Sequence, residues 1–366
     1  MKVLHIISGN DNGGGANHLL NICSKKNIYF KNILGCLGEG ALVDKAKEQN
    51  INLEVFPKKI FKNNIAKFAN ENEVDIVNFH GAQPFLIHYF IKRKLNMDTV
   101  ATIHSDYRYD FLNNKLKYYL YTPLSEMGLN SFENYICVSK NLMDLLEKKQ
   151  FIGRKTVVNN GMALSKLITR ESKEEIRKKL ELKEDDFVFT VIGRFHPIKN
   201  HINIIKAFHK FNNDYKNSKL ILLGDGELRP NIEQLIKELK LVDKVKLVGF
   251  VDNVIDYLKV SNASIIASYS EGGAPPLAFL ESALVKTPVI CTRVGDLEDI
   301  VNENNGIIIN SQNEKDIYIS MEECFDKKEI LCFLGENINK LVTQKFTMNN
   351  FWKSYYEFYE KVIKDI

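Results

Sequence analysis

The chain has 366 residues, more than one ordinary hydrophobic core accommodates, so two domains are expected. Hydrophobic residues make up 45% of it and charged residues 26%, which excludes a disordered or fibrous chain. The net charge is only +4, the lysines are scattered and no finger or RNA-binding aromatic motif occurs, which argues against a nucleic-acid partner.

Val3–Ile7 reads as a strand at once, with no secretory leader before it. No run is long and apolar enough to cross a bilayer, so a cytoplasmic protein is expected, at most held at the inner face of the cell membrane. The six cysteines include no C-x-x-C pair and most lie in apolar runs, as reduced core thiols do.

After this first strand come Gly13, Gly14 and Gly15, then Ala16 and a helical pattern. Glycines at that place let a backbone approach a ligand at a helix start. The plain alternative is a ligand-free turn. The dinucleotide spacing G-x-G-x-x-G is not met, which disfavours a dehydrogenase. Further strands are predicted near 32–37, 51–56, 74–79, 98–103, 134–139 and 155–159, separated by helical stretches. Short apolar strands alternating with helices describe a parallel sheet covered on both faces.

Two histidines end such strands, His80 and His104. A lone histidine is usually structural, but the carboxyl ends of parallel strands are where α/β folds bind ligands. His104 is the favoured candidate, with Asp106 available to orient it. The other histidines show no metal-ligand spacing, so no metal is inferred. Just after the His104 strand, Asn113–Tyr121 interleaves lysines with tyrosines, and Lys58–Lys62 forms a second basic-aromatic patch. Such patches suit an anionic lipid surface, the plain alternative being a helix with a solvated lysine face.

A charged, glycine-free stretch from Ser165 to Asp186 interrupts the alternation, and a second series starts at Phe187. Its strands are predicted near 187–193, 219–224, 244–249, 263–267, 288–291 and 306–309. The predicted domains are 1–165 and 166–346, with 347–366 as an aromatic amphipathic helix packing back on the first; membrane binding is the other use of its aromatic face. At the first strand of the second series come Gly193, Arg194 and Lys199, two cations suited to a diphosphate. Gly224 and Gly226 end the next strand, where a plain turn is an equal reading. Ser268–Ala283 then gives a strand end, a glycine turn at Gly272 and Gly273, and a helix that Pro276 can open. Glu271 and Glu281 bracket that turn. Carboxylates beside a phosphate site are suited to gripping hydroxyls.

Together these positions resemble the retaining nucleotide-sugar glycosyltransferases of family 4. The resemblance runs in order through Gly13–Ala16, Thr102–His104, Ile136–Ser139, Val158–Gly161, Gly193 and Arg194 with Lys199, Gly224–Gly226, Glu271 and Gly272, and Glu281–Ala283. It implies the GT-B architecture, two Rossmann-like doubly wound domains facing each other across a cleft, the first binding acceptor and the second donor. It implies that Gly14, Gly15, Gly272, Gly273, Arg194 and Lys199 hold the donor diphosphate and that Glu281 binds the ribose. Glu271 and His104 would lie at the reacting sugar as catalytic residues, with no metal or other cofactor. Nine residues separate the two glutamates, two more than is usual in the family, and the extra two fall in the loop 272–276. Asn200 stands where the family often has glycine.

The implied reaction is retaining transfer of a hexosyl or N-acetylhexosaminyl group from a nucleoside-diphosphate sugar, with UDP as the commonest nucleotide. The acceptor would be a glycan or polyprenyl-linked molecule, as in bacterial surface polysaccharide biosynthesis, and the protein peripheral to the membrane. Two alternatives remain, an epimerase of the same architecture and a partner subunit of a glycosylation complex. A sugar-nucleotide epimerase needs further acid–base carboxylates, and a non-catalytic partner subunit is expected to lack Arg194, Lys199 or Glu281.

Overall fold

The computed structural model describes residues 1–11, 13–57, 61–108, 115–162, 169–271 and 275–364, without the side chains of 61–63, 115–118 and 120. The chain divides into two units. Unit 1 runs from Met1 to Gly161 and takes up the chain again from Met348; unit 2 comprises Met162–Glu271 and Pro275–Thr347.

Among the described residues unit 1 has seven strands: β1 Lys2–Ser8, β2 Lys31–Leu37, β3 Leu53–Phe56, β4 Ile76–His80, β5 Asp98–Ile103, β6 Asn134–Cys137 and β7 Arg154–Val157. They pair in the order β3-β2-β1-β4-β5-β6-β7, every pairing parallel. Unit 2 has six among its described residues: β8 Phe187–Ile192, β9 Ser218–Leu223, β10 Val245–Gly249, β11 Ala263–Ile266, β12 Val289–Thr292 and β13 Ile307–Ile309. Their order is β10-β9-β8-β11-β12-β13, again all parallel. Each sheet therefore has one switch point, between β1 and β4 in the first and between β8 and β11 in the second. A crevice outside the carboxyl ends of the strands opens at such a point.

Both faces of each sheet are covered, and the period of two decides which residue faces which core. In β1, Val3 and Ile7 join one cluster while Leu4 and Ile6 join the other. The cluster on the Val3 face is completed by the helix Met348–Lys364, which buries Phe351, Trp352, Tyr355, Phe358, Tyr359 and Val362. Its aromatic face is core, which removes the membrane alternative for this segment. Tyr355 and Tyr359 also keep their hydroxyls bonded: Tyr359 accepts from Asn78 Nδ2 at 2.7 Å, and Tyr355 meets His18 Nε2 at 2.7 Å. A buried polar atom left unpaired would cost about 1–3 kcal/mol.

Five of the six cysteines are buried and all six are free thiols, Cys332 alone being exposed. Among the described residues no helix is long and apolar enough to cross a membrane.

Docking of the last helix makes a direct prediction. Tyr355→Ala should destabilise unit 1 by about 3–5 kcal/mol, the range for removing a buried aromatic. Lys353→Ala, on the exposed side of the same helix, should stay within about 0.5 kcal/mol. Urea unfolding of both variants checks this; similar losses would mean that the helix is held by something other than its aromatic face.

Candidate active site

In unit 1 the glycine turn sits directly above the first switch-point strand. Asp11 Oδ1 accepts from the Gly13 amide at 2.8 Å, which shapes the entry to the helix Gly14–Ile22. With the Gly13 amide taken by Asp11, the amides left in the first turn of that helix are intrinsically suited to anionic or hydroxyl oxygens. A Cβ on Gly14 would meet nothing within 4 Å, whereas one on Gly15 would come 3.2 Å from Asp11 and 3.6 Å from the His104 ring. Gly15 and His104 are therefore neighbours, and any side chain at 15 would stand over the imidazole.

His104 follows the last residue of β5 and is half-buried. Asp106 does not orient it. That carboxylate bonds the Arg108 amide at 3.0 Å and its guanidinium at 2.6–3.1 Å, so a local Asx-type turn captures it. The partner of His104 is instead His80, Nε2 to Nδ1 at 3.0 Å. His80 in turn meets His5, Nε2 to Nδ1 at 3.1 Å, and His5 Nε2 meets Asn32 Oδ1 at 2.9 Å. The two histidines weighed as alternatives thus belong to one row. His18 packs edge-on against His104 with ring centroids 4.7 Å apart and is fastened by Asn160 Oδ1 at 2.6 Å and the Tyr355 hydroxyl. Burial pushes His5 down to about 3 and His18 to about 4, and holds His80 and His104 well below the ordinary histidine value. Buried imidazoles shed the proton whose charge would be desolvated. The cluster is neutral at physiological pH.

In unit 2 the switch point gathers Arg194, Lys199, Ser268 and Glu271. Arg194 follows β8 in the turn beyond Gly193 and is exposed. Lys199 ends a short 3-10 turn, Pro197–Lys199, and its aliphatic stem passes over Gly193. The next residue, Asn200, has φ 62° and ψ 28°, the left-handed region favoured by glycine and next by asparagine. Asn200 Nδ2 donates to the carbonyls of Ala267 at 3.1 Å and Gln312 at 2.7 Å. That pair of bonds fixes the turn to the end of β11 and explains why asparagine serves at this position.

The outcome is an ion pair across the switch point. Lys199 Nζ lies 2.6 Å from both oxygens of Glu271, and Ser268 Oγ donates to Glu271 Oε1 at 2.6 Å. The Glu271 side chain is 8% exposed and that of Lys199 26%, so the pair is mostly withdrawn from solvent. Gly224, at the end of β9, has φ 146°, and a Cβ there would collide with the Gly193 carbonyl oxygen. This glycine is what allows the β8 and β9 turns to close together. Glu281 is half-buried on the helix Leu277–Leu284, which Pro276 precedes in extended conformation rather than opening as its first helical residue. Gly272 and Gly273 lie outside the described residues, as do positions 58–60 of one basic-aromatic patch and Asn113 of the other.

Sequence reasoning passed over His5, His18, Asn32 and Asn160. For His5 the available signal was a polar residue inside an otherwise apolar strand run, which a doubly covered sheet tolerates only when it is paired. Asn32 stands at the start of β2, His18 on the helix Gly14–Ile22 and Asn160 beyond β7, where no such run marks them.

Comparison with known proteins fits this geometry. The profile for glycosyl transferases group 1 matches residues 172–340, and that for glycosyltransferase family 4 matches residues 51–166. A UDP-Gal:alpha-D-GlcNAc-diphosphoundecaprenol alpha-1,3-galactosyltransferase of Escherichia coli is 24% identical over 290 residues, 77% of this chain and 74% of that one. An alpha-monoglucosyldiacylglycerol synthase of Acholeplasma laidlawii is 23% identical over 278 residues, 72% and 70% of the two chains. Among solved structures, Anabaena HepE in complex with UDP superposes with a TM-score of 0.85 at 16% identity, covering 99% of this chain and 100% of that one. Two parallel-sheet Rossmann-like units, matched profiles along both and glycosyltransferase relatives over most of the length make this chain a glycosyltransferase of the family 4 type with the GT-B architecture.

Proposed function

We infer that the protein transfers a sugar from a UDP-sugar, with retention at the anomeric carbon, to a glycan or lipid-linked acceptor in the building of a surface polysaccharide. The observation that carries the donor half is the Lys199–Glu271 pair beside exposed Arg194 at the switch point of the second sheet. Cations there suit a diphosphate, and a carboxylate held within reach of them suits a sugar hydroxyl. Arg194 and Lys199 would bear the charge of the departing diphosphate, so that no metal ion is required of the reaction. Glu281 would hold the ribose, with Gly14, Gly15, Gly272 and Gly273 giving close backbone approach. In the transfer, the bond from the anomeric carbon to the phosphate oxygen breaks and a bond from the acceptor oxygen to that carbon forms on the same face. The acceptor's proton passes to the leaving diphosphate. The relatives named for a UDP-sugar donor and for undecaprenol-linked or diacylglycerol-based products support the choice of nucleotide and of acceptor class.

A lipid-linked acceptor would bring the protein to the inner face of the membrane. Tyr89 and Phe90 end the helix Ala82–Ile91, Lys92, Arg93 and Lys94 follow, and Tyr119 and Tyr121 lie on the helix Lys115–Leu129 packed against it; all seven side chains are exposed. Aromatic rings flanked by cations suit an anionic interface, where each cation contributes about 1 kcal/mol.

Three outcomes are expected. Arg194→Ala and Lys199→Ala should each weaken UDP binding about ten- to a hundredfold, the value of one charge-assisted bond; calorimetry with UDP alone measures it. Unchanged affinity in both variants would remove the diphosphate assignment.

Glu271→Gln should act in the opposite sense on UDP. It frees Lys199 from its partner and should tighten UDP binding about two- to fivefold or more, because the diphosphate no longer has to displace a carboxylate from a pair mostly withdrawn from solvent. Its turnover with intact donor should nevertheless fall, as should that of His104→Ala, because both residues act at the reacting sugar. Full turnover in Glu271→Gln would place that carboxylate outside the reaction.

Sedimentation with anionic and with neutral vesicles at low and high salt tests the membrane reading. Binding to anionic vesicles that fades with salt is expected. No binding, or binding indifferent to lipid charge, would point to a water-borne acceptor.

A further inference from the structure

A diagonal row of polar side chains crosses four adjacent strands of the first sheet. In a parallel sheet, paired residues share a face, and a step of two along a strand stays on it. Val3 pairs with Asn32, His5 with Asn78 and His80 with Thr102. Asn32 on β2, His5 on β1, His80 on β4 and His104 after β5 therefore each stand two residues nearer the carboxyl edge than the one before. This stagger is what brings Asn32 Oδ1, His5, His80 and His104 into successive contact at 2.9, 3.1 and 3.0 Å.

The direction of this row is set at its asparagine. Asn32 Nδ2 donates to the carbonyls of Ile22 at 3.1 Å and Phe30 at 3.4 Å, which can only accept. Its oxygen is thereby turned to His5 and can only accept in turn, so His5 Nε2 carries a hydrogen. A neutral imidazole has one N–H. His5 Nδ1 must then accept from His80 Nε2–H, and His80 Nδ1 must accept from His104 Nε2–H. The imidazolium forms that could break this sequence are disfavoured by burial, with neighbouring histidines lowering the pKa values further.

We propose that Asn32 is a positioning residue that acts through His5 and His80 to fix His104 as its Nε2–H tautomer, presenting Nδ1 as a hydrogen-bond acceptor for a sugar hydroxyl. The row does for His104 what a carboxylate does elsewhere for a catalytic imidazole, by tautomer and orientation rather than by charge. An acceptor nitrogen takes a hydroxyl and rejects a group without a hydrogen to give, so it also selects among sugars. The use to which Nδ1 is put rests on the reading of His104 as a residue of the transfer site; the tautomer does not.

Long-range nitrogen–proton correlation on the full chain with labelled histidine, free of ligand, tests this. In the wild type, His5, His80 and His104 should each show a protonated Nε2 and an unprotonated Nδ1. Asn32→Leu and His5→Phe should each release His104 into mixed tautomers. His88, whose nitrogens meet Ser131 Oγ and Thr99 Oγ1 apart from this row, should keep its signals in both. In turnover, Asn32→Leu should lower kcat roughly tenfold or more, as a wrongly held tautomer does, while the donor KM changes less than about twofold. A wild-type His104 protonated on Nδ1 would overturn the proposal, as would one unmoved by either substitution. Should both variants fail to fold, the wild-type spectrum alone still decides. Because that spectrum needs no turnover, a failure of the transferase reading leaves it intact.

Discussion

A parallel sheet covered by helices on both faces offers almost no inexpensive place for a polar side chain. Any polar atom inside must be bonded, and any charge must be paired. In this protein that constraint arranges the chemistry. Charged and glycine-rich segments lie where the strands run out, at the two switch points, while the polar groups that lie in and against the first sheet in its histidine region are tied to one another. Asn78 bonds Tyr359 and Thr102, His18 bonds Asn160 and Tyr355, and Asn32 starts the histidine row. The last helix completes the face on which these groups sit, so the stability of unit 1 and the order of its candidate site have a common cause.

The two units meet the constraint in different ways. Unit 1 uses neutral groups, a set of imidazoles whose burial keeps them uncharged. Unit 2 uses charge, with Lys199 and Glu271 neutralising each other and Ser268 adding a third bond. A mostly buried pair is costly to break by removing one partner. In the proposed donor site an arriving diphosphate would supply a replacement anion for Lys199 and free the carboxylate for a hydroxyl. On the proposed function, the pair is the ligand-free form of the donor site.

Much of this was legible in the sequence. The strands fall where short apolar runs and their glycine ends put them, because fully buried parallel strands leave that mark. Arg194, Lys199 and Glu271 were visible as charges at strand ends. What the sequence hid depends on distance along the chain. No local pattern links Asn32 to His5 or His80 to His104, since their meeting follows from strand order and register. Nor could it show that Asp106 would be taken by Arg108, two residues on, before it could reach His104. Asn200 illustrates the middle case: its departure from glycine was plain, but its left-handed backbone and its two carbonyl partners were not.

The central claim is that unit 2 holds a nucleoside-diphosphate sugar through Arg194 and Lys199. A ligand that binds the native state raises its melting temperature in step with occupancy. Melting the wild type and an Arg194→Ala/Lys199→Ala double variant against one panel of nucleotide sugars tests the claim most directly. The account predicts that at least one UDP-sugar stabilises the wild type and leaves the double variant unmoved. A panel that shifts neither protein, or shifts both equally, would contradict it.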